Sequence, residues 1–489
     1  MPSQPDRGGR YVPRMLSRRA LLPRSTPAAA GVSSRAVAAL LDRLEASSVE
    51  CHSLVVVRHG HVLAEGWWEP YSAGSPHLLY SLTKTFTAVA VGLAVADGLL
   101  SLDDRVVDVL PDHVPADAPE QARRLTVQHL LTMTTGHGTD SLEEAWRLEQ
   151  RDLVRGFLRV PFVEAEGTRH AYDNATTFVL ARMVERVTGR SLPELLDERL
   201  LVPMGIDHAE WDRVGGGTAY GFHGLHLTTE AVAAFGELLL RGGRWGDRQL
   251  LPAAWVALAT SKHVDSVPYK DDDSHDTDYT CGYGYQVWLN RHGFHGSGAY
   301  SQLCVVVPSS DLVVAVTAEG EGQVVLDALW ECLLPGLDAP GTVQDDDALA
   351  DRLRHLSLPT ATGGAAPGRS VEARLDAPGQ DPVLPDGTTV VVHPADGGWT
   401  LHLGPLAVEV GHGAWRRSAP LGRPVVASGA WQADTFVADL RVVATPHTVR
   451  VVVDAGTGSA VATWSAVPLT TSDLEAHLRS PLVTRPGHG

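Results

Sequence analysis

The chain has 489 residues, of which 44% are hydrophobic and 20% are charged. This length predicts two or three domains, and the composition excludes a chain that is disordered throughout. Forty basic residues against 58 acidic ones leave a net charge of −18, which argues against general binding to nucleic acid or to an anionic membrane surface. The four cysteines are scattered and form no CxxC pair. They therefore indicate neither a disulfide framework nor a zinc site, and they suit a reducing compartment.

The first 30 residues are basic and rich in proline and glycine, and we expect them to form a flexible tail. The Arg18-Arg19 pair is followed by Ala20-Leu21-Leu22 and then Pro23, so the apolar region of a secretory signal is missing. The longest apolar run, Thr87 to Ala96, is about half the length of a membrane span. We therefore expect a cytoplasmic location.

The first predicted elements are a helix over 33–47, two strands over 52–58 and 61–67, and a long helix over 81–99. Helical patterns continue to about residue 241, at 126–133, 174–188, 192–201 and 228–241. Strands are predicted at 283–289, 303–307 and 312–317, before a helix near 323–333. Strands from both ends of one region predict an α/β (α+β) sandwich over 31–337, in which an antiparallel sheet is flanked by helices and carries an all-α subdomain.

The composition changes after Pro335. Residues 338–370 are rich in Asp, Ala, Pro and Gly, which predicts a linker around one short helix near 346–356. From residue 371 to 489 we predict a small all-β domain, a barrel or a sandwich. Its strands are predicted at 388–393, 399–403, 406–410, 436–443, 447–453 and 461–465.

A serine and a lysine three residues apart, Ser81 and Lys84, begin the long predicted helix. This spacing places both side chains on one helical face. The helix N-terminus favours a developing anion at Ser81. The same field, together with burial, lowers the pKa of a lysine and lets it accept a proton. Because Ser-x-x-Lys is also common by chance and serine is a frequent N-cap, this pair alone does not establish catalysis.

Two later motifs add to this pair. Tyr172-Asp173-Asn174 stands immediately before a predicted helix, so a phenol and a carboxamide can point into one cleft. The glycine-rich run from Gly293 to Gly298 precedes a strand and lets a backbone pass close to a ligand.

In this order and spacing the three motifs resemble the serine β-lactamase and penicillin-recognising superfamily, of which Ser-x-x-Lys is a signature. Tyr-x-Asn is similar to the branch of class C β-lactamases, family VIII carboxylesterases and 6-aminohexanoate-dimer hydrolases. The resemblance covers about residues 33–335. It is strengthened by further stretches at 52–60, 98–104, 130–136, 227–246 and 283–288.

The resemblance implies a role for each matching residue. Ser81 is expected to be the acylated nucleophile, Lys84 its proton acceptor, and Tyr172 the general acid and base. Asn174 is expected to orient Lys84 or the substrate carbonyl. The backbone N–H of Ser81 and one N–H from the strand after the third motif would form the oxyanion hole.

The third motif departs from the family pattern of Lys-Thr-Gly or His-x-Gly. A gapless alignment places Gly293-Phe294-His295 there, whereas a short deletion places Gly296-Ser297-Gly298 there and makes Ala299 the oxyanion donor. Neither alignment supplies a lysine, so a cation for a substrate carboxylate is absent unless His295 is charged. This favours small esters or amides over β-lactams.

Other functions remain as alternatives. A non-catalytic binding protein, a β-lactamase and a D-amino-acid peptidase are possible on the same fold. The 22 histidines form no metal-binding motif, and we expect no metal and no cofactor. The acidic segment 270–278 lacks the glycine and glutamate of a calcium loop. We predict a small-molecule ester or amide as the only partner, and the sequence leaves the oligomeric state open. The C-terminal domain is expected to cover the catalytic domain in part without contributing a catalytic residue.

Overall fold

We describe the protein from a computed structural model. It covers residues 20–266, 277–339, 341–365, 368–377, 379 and 381–479, together with the backbone of 483–484. Positions 1–19 of the tail predicted over 1–30 lie outside the described residues. Positions 270–276 of the acidic segment 270–278 also lie outside them. Among the described helices, none is long and apolar enough to cross a membrane.

The N-terminal part of the chain is built on a six-stranded antiparallel sheet with the strand order β3-β4-β5-β6-β1-β2. The strands are β1 (Glu50–Arg58), β2 (His61–Trp67), β3 (Trp288–Asn290), β4 (Gly293–Gly298), β5 (Gln302–Val307) and β6 (Leu312–Glu319). The two ends of a long segment thus pair in one sheet, since β1 lies between β2 and β6. The chain between β2 and β3 forms most of the helices of this region.

Both faces of the sheet are buried under helices. Successive side chains of a strand point to opposite faces, so Leu54 and Val56 of β1 pack into one apolar core while Val55 and Val57 pack into the other. The first core is covered by α1 (Ser34–Glu45), α5 (Gly322–Ala328) and α6 (Val343–Arg354), and the second by α2 (Thr83–Ala96) and α4 (Thr229–Leu240). The α2 helix is apolar and buried nearly all round, because α3 (Asn174–Thr188) covers its other side.

Shorter elements complete this region. The α-helices are Val106–Val109, Val127–Leu131, Leu142–Leu148, Leu153–Phe157, Leu192–Leu196, Val202–Met204 and Ala253–Ala259. The 3₁₀ turns are Ala28–Ala30, Tyr80–Leu82, Pro111–His113, Ala122–Arg124, Gly215–Gly217, Pro308–Ser310 and Leu334–Gly336, and π-helical turns lie at Asp197–Leu201 and Leu329–Leu333. The short strands are His77–Leu78, Glu210–Trp211, Arg213–Val214, Thr218–Ala219, Leu225–Leu227, Arg244–Trp245, Arg248–Gln249 and Val483–Thr484.

Two local predictions differ from the structure. The strand predicted over 283–289 is mostly a turn, and regular strand geometry begins only at Trp288. Gln286 has a φ of +59°, and its side-chain amide donates to the carbonyls of Leu130 and Leu131, so the segment folds onto a helix end instead of extending. The glycine-rich run treated as a loop before a strand is itself the strand β4.

The C-terminal part forms a closed eight-stranded barrel. Its strands are β7 (Val371–Leu375), β8 (Thr389–Ala395), β9 (Gly398–Leu403), β10 (Leu406–Gly411), β11 (Val425–Gln432), β12 (Thr435–Val442), β13 (Thr448–Asp454) and β14 (Ser459–Trp464). The sheet order is β10-β9-β8-β7-β14-β13-β12-β11, and a parallel pairing of β10 with β11 closes the ring. The short strand Arg416–Ser418 pairs antiparallel with β11, and the helix Leu474–His477 packs on the barrel core. β7 and β11 have no counterpart among the predicted strands.

The barrel is joined to the N-terminal part by buried polar contacts. Arg423 is 0% exposed and pairs with Asp212 at 2.8 Å between Nη2 and Oδ1. Arg441 forms a two-pronged ion pair with Glu50. The backbone N–H of Leu78 donates to the carbonyl of Ala444 at 2.8 Å. These contacts bring the barrel to the segment that precedes Ser81.

Candidate active site

Ser81 lies in the single 3₁₀ turn Tyr80–Leu82 that leads into α2. The continuous helix predicted from residue 81 therefore begins two residues later as an α-helix, at Thr83. Tyr80 has a φ of +46°, a conformation that a bulky side chain adopts rarely. This conformation of Tyr80 turns the chain sharply from the strand His77–Leu78 into the helix. It leaves Ser81 partly exposed.

Lys84 is buried and is surrounded by three hydrogen-bond partners. Its Nζ lies 2.9 Å from Ser81 Oγ, 2.6 Å from Asn174 Oδ1 and 3.1 Å from the carbonyl oxygen of Phe222. An amide oxygen and a backbone carbonyl only accept. A neutral lysine amine, which has two N–H groups, therefore donates to these two and turns its lone pair toward the Ser81 hydroxyl. This is the arrangement a base needs to take the proton of Ser81.

The electrostatic surroundings support a neutral amine. Burial lowers the pKa of Lys84 to about 7, against the opposing effect of Asp140 and Asp173. Burial also raises the pKa of Asp140, and the neighbouring charge of Asp173 adds to this shift. The carboxylate nearest the lysine thus loses part of its charge, which weakens the field that would hold Lys84 protonated.

Asn174 links Lys84 to Asp140. Its Nδ2 donates to Asp140 Oδ2 and its backbone N–H donates to Asp140 Oδ1 at 3.1 Å. These contacts fix which end of the amide faces the lysine, so Oδ1 points to Nζ. Asn174 is also the first residue of α3, whose N-cap is Asp173. Asp140 is not among the residues predicted for the site. The only signal it offered was its position four residues after the stretch 130–136.

Tyr172 lies on the other side of the lysine. Lys84 Nζ is 4.8 Å from the centroid of the Tyr172 ring. That ring stacks on Trp288 with centroids 5.6 Å apart and an interplanar angle of 10°. Trp288, Tyr283 and Met133 form a small apolar cluster against which Tyr172 packs. The structure therefore brings Ser81, Lys84, Tyr172 and Asn174 together from separate segments of the chain.

The third-motif candidates lie along β4 at different distances from Ser81. A Cβ added at Gly298 would come 2.1 Å from the carbonyl oxygen of Leu79, two residues before the nucleophile. One added at Gly296 would meet the Leu82 side chain at 2.3 Å. Gly293 instead faces the backbone of Val306 at the far end of the strand. The segment Gly296-Ser297-Gly298, which is followed by Ala299, is thus the one beside Ser81.

His295 does not provide the missing cation. It is 0% exposed, and its Nδ1 lies 3.2 Å from Asn290 Nδ2. Burial lowers its pKa to about 4, so the ring is neutral at pH 7. Among the described residues, no group of three or more His, Cys, Asp or Glu side chains is placed to hold a metal ion. Asp278, at the end of the acidic segment, is paired with Arg291 at 2.9 Å.

Comparison with known proteins identifies the family of this region. A family model described as beta-lactamase matches residues 37–331, which is more than half of the chain. The chain belongs to the beta-lactamase family. The resemblance that the three motifs indicated is therefore confirmed, and so is the β-lactamase-like fold of this region.

Two curated relatives and one solved structure show how much of this chain is similar to known proteins. The chain is 32% identical over 209 residues to the esterase EstB of Burkholderia gladioli, covering 37% of this chain and 53% of that protein. It is 26% identical over 253 residues to the 6-aminohexanoate-dimer hydrolase of Paenarthrobacter ureafaciens, covering 47% and 63%. The structure of EstCE1, titled a hydrolase with promiscuous acyltransferase activity, superposes with a TM-score of 0.50 at 17% identity, covering 60% of this chain and 97% of that one. The chain thus matches about half to two thirds of the length of these curated relatives.

Proposed function

We propose that this protein is a serine hydrolase that cleaves a small ester or amide through an acyl-enzyme on Ser81. The observation that carries the proposal is the contact of Ser81 Oγ with a buried Lys84 whose other partners only accept hydrogen bonds. The names of the two curated relatives, an esterase and a 6-aminohexanoate-dimer hydrolase, agree with this reaction class.

The proposed reaction starts with neutral Lys84. The amine takes the proton of Ser81 while Oγ attacks the substrate carbonyl, and the backbone N–H groups of Ser81 and Ala299 stabilise the oxyanion. Tyr172 passes a proton to the leaving alcohol or amine. It later takes a proton from water, which then attacks the acyl-enzyme. The acid is released as the Lys84 ammonium returns its proton to Ser81 Oγ. Asn174 keeps Lys84 Nζ in place beside Ser81.

The substrate is proposed to be uncharged near its acyl group. No lysine stands in the third motif, and His295 is neutral and buried. The stacked rings of Tyr172 and Trp288 offer an apolar wall instead. This disfavours the alternatives of β-lactamase and D-amino-acid peptidase, whose substrates carry a carboxylate. We further propose that the enzyme acts in the cytoplasm, without a cofactor, on a small molecule.

Labelling with a fluorophosphonate and hydrolysis of p-nitrophenyl butyrate test the proposal together. Wild-type protein should be labelled on Ser81, as mapped by peptide mass spectrometry, and should hydrolyse the ester. Ser81→Ala should lose both, with a rate reduced by about 10³-fold or more. Ser261→Ala is the matched control, because it removes an exposed hydroxyl that donates to the carbonyl of Leu258 at 2.8 Å and contacts neither Ser81 nor Lys84. A Ser81→Ala protein that keeps more than a few per cent of the activity would show that the nucleophile lies elsewhere.

A further inference from the structure

The C-terminal barrel contacts the residue immediately before the nucleophile. Tyr80 is 2% exposed, and its hydroxyl is hydrogen-bonded to Nε2 of His447, which lies 367 residues away in the turn before β13. His447 is itself 0% exposed. This contact between the barrel and the catalytic region reaches to within one residue of Ser81.

The polarity of this hydrogen bond follows from the other ring nitrogen. Nδ1 of His447 lies 2.8 Å from the carbonyl oxygen of Ala466, which only accepts, so Nδ1 carries the proton. Nε2 is then an acceptor, and the Tyr80 hydroxyl donates to it. Burial lowers the pKa of His447 to about 3, so the ring keeps this state throughout the neutral range. The bond is a fixed anchor and not a titrating switch.

Tyr80 needs such an anchor because its backbone is strained. A φ of +46° is unfavourable for a bulky residue and persists only where the surroundings hold it. The direction of the next peptide N–H, that of Ser81, depends on this conformation. His447 therefore controls the placement of one proposed oxyanion donor through Tyr80.

The barrel makes a second contact of the same kind with the residue that follows the other proposed oxyanion donor. Tyr300 follows Ala299, has a φ of +63°, and donates its hydroxyl to the carbonyl of Val467 at 2.6 Å. The rings of Tyr80 and Tyr300 are 5.4 Å apart, and His447 lies 5.1 Å from the ring of Tyr300. The residues next to both proposed oxyanion donors thus meet at one point on the barrel.

We propose that the C-terminal barrel positions the oxyanion hole, with His447 as its positioning residue. The inference rests on the proposed function, because it assigns the barrel a role at the same site. Neither His447 nor Val467 touches the substrate. They hold Tyr80 and Tyr300, and the donors beside these two residues then converge on the oxyanion.

The test compares an ester with a matched thionoester, in which sulfur replaces the carbonyl oxygen and accepts weaker hydrogen bonds. The ratio of kcat/KM for the two substrates reports on the oxyanion hole. It does not change when a variant merely lowers the amount of active protein, which titration with fluorophosphonate measures separately. Tyr80→Phe and Tyr300→Phe remove only the anchoring hydroxyls and keep the rings. His447→Leu removes the acceptor, and His447→Gln restores one.

We expect Tyr80→Phe and His447→Leu to lower the ester-to-thionoester ratio by about tenfold, through kcat with little change in KM. Tyr300→Phe should lower it in the same direction, and His447→Gln should recover most of the ratio. The control is Ser465→Ala, which removes a different hydrogen bond between barrel and catalytic region, that from Ser465 Oγ to Glu319 Oε2 at 2.9 Å. It should leave the ratio unchanged.

Two failures are distinguishable. If wild-type protein is not labelled on Ser81, the proposed function is overturned and this inference falls with it. If wild type is labelled and hydrolyses the ester, but Tyr80→Phe and Tyr300→Phe keep the wild-type ratio, only the positioning role is overturned. These two variants decide the question even if His447→Leu does not fold, since both keep the aromatic rings in place.

Discussion

The protonation of Lys84 determines the proposed chemistry at the scale of a single residue. Burial lowers its pKa to about 7, and only the neutral amine accepts the Ser81 proton. We therefore expect kcat/KM for p-nitrophenyl butyrate to rise with pH through about 7 and to level off above it. Lys84→Arg should lose about 10³-fold or more, because guanidinium stays protonated. A rate within tenfold of wild type in Lys84→Arg would exclude Lys84 as the base.

A second prediction concerns the neighbour that orients the lysine. Asn174→Asp keeps the size of the side chain and places a carboxylate 2.6 Å from Lys84 Nζ. A nearby negative charge favours the ammonium form, so the midpoint of the pH–rate profile should move upward, by about one pH unit or more. Asn174→Ala serves as the control, because it removes the hydrogen bond without adding charge. A midpoint that stays in place or falls in Asn174→Asp would contradict the electrostatic role assigned here.

The sequence predicted the residue types of the site better than their surroundings. Ser81, Lys84, Tyr172 and Asn174 lie in recognisable local motifs, and the structure brings them together. Asp140 and the Phe222 carbonyl lie in no recognisable motif, since folding of distant loops brings them to the site. His447 could not be assigned a role from its own neighbourhood, because its significance comes from Tyr80, 367 positions away.

At the scale of elements, the packing of β4 against the start of α2 sets the width of the cleft. Glycine is required where the strand passes the backbone before Ser81. A Cβ on Gly298 would lie 2.1 Å from a backbone oxygen, which cannot yield without moving the chain, whereas one on Gly296 would meet the end of a leucine side chain.

The corresponding prediction is a comparison of Gly298→Ala with Gly296→Ala. The first should lower kcat by about 10²-fold, because a shift of about 1 Å at the reacting centre has effects of that size. The second should cost less, since Leu82 is able to adopt another rotamer. Circular dichroism and thermal melting control for folding of both variants. Equal losses of kcat in the two variants would contradict the placement of the third motif at Gly298.

Helices and strands were predicted correctly where the hydrophobic periodicity of the sequence was strong. They were predicted wrongly where tertiary contacts override the local pattern. The helix predicted over 174–188 is found at Asn174–Thr188, because an N-cap aspartate and a terminal glycine mark both of its ends. The strand predicted over 283–289 failed because the side chain of Gln286 bonds to a helix end. β4 was not predicted as a strand, because glycine is a weak strand former. Its glycines allow the strand to pass close to the backbone before Ser81.

At the scale of the whole molecule, the interface between barrel and catalytic region contains buried histidines. Burial lowers the pKa of His77, His223 and His477, and that of His447 as well. The interface also holds two acids with lowered pKa values. Burial alone would raise the pKa of Asp212, but His226 and Arg423 lower it. Burial also acts to raise the pKa of Glu50, but contacts with His52 and Arg441 lower it to about 2.

These shifts fix the sign of the dependence of stability on pH. A buried histidine stays neutral in the folded protein but takes up a proton on unfolding below about pH 6.5. The unfolded state therefore binds more protons, and the free energy of unfolding falls as the pH is lowered from about 6.5. The acids add to the loss only below about pH 4.5, where they become protonated in the unfolded chain but not in the folded one.

We therefore expect the free energy of unfolding, measured by urea titration between pH 5 and 8, to fall as the pH is lowered below 6.5, with Asp140 offsetting about one of the histidines because burial raises its pKa. Above pH 7 the free energy of unfolding should keep rising, because Lys84 is neutral in the folded protein and protonated in the unfolded chain. Each buried histidine steepens the fall by up to about 1.4 kcal/mol per pH unit. His477→Phe should lower the number of protons taken up on unfolding by up to one, and so reduce the slope of the free energy of unfolding against pH. The reason is that His477 is buried and its Nδ1 has no partner among the described residues. His355→Gln should leave it unchanged, since His355 has 72% of its side chain exposed. An unchanged slope in His477→Phe would show that the buried histidines do not couple the stability of this interface to pH.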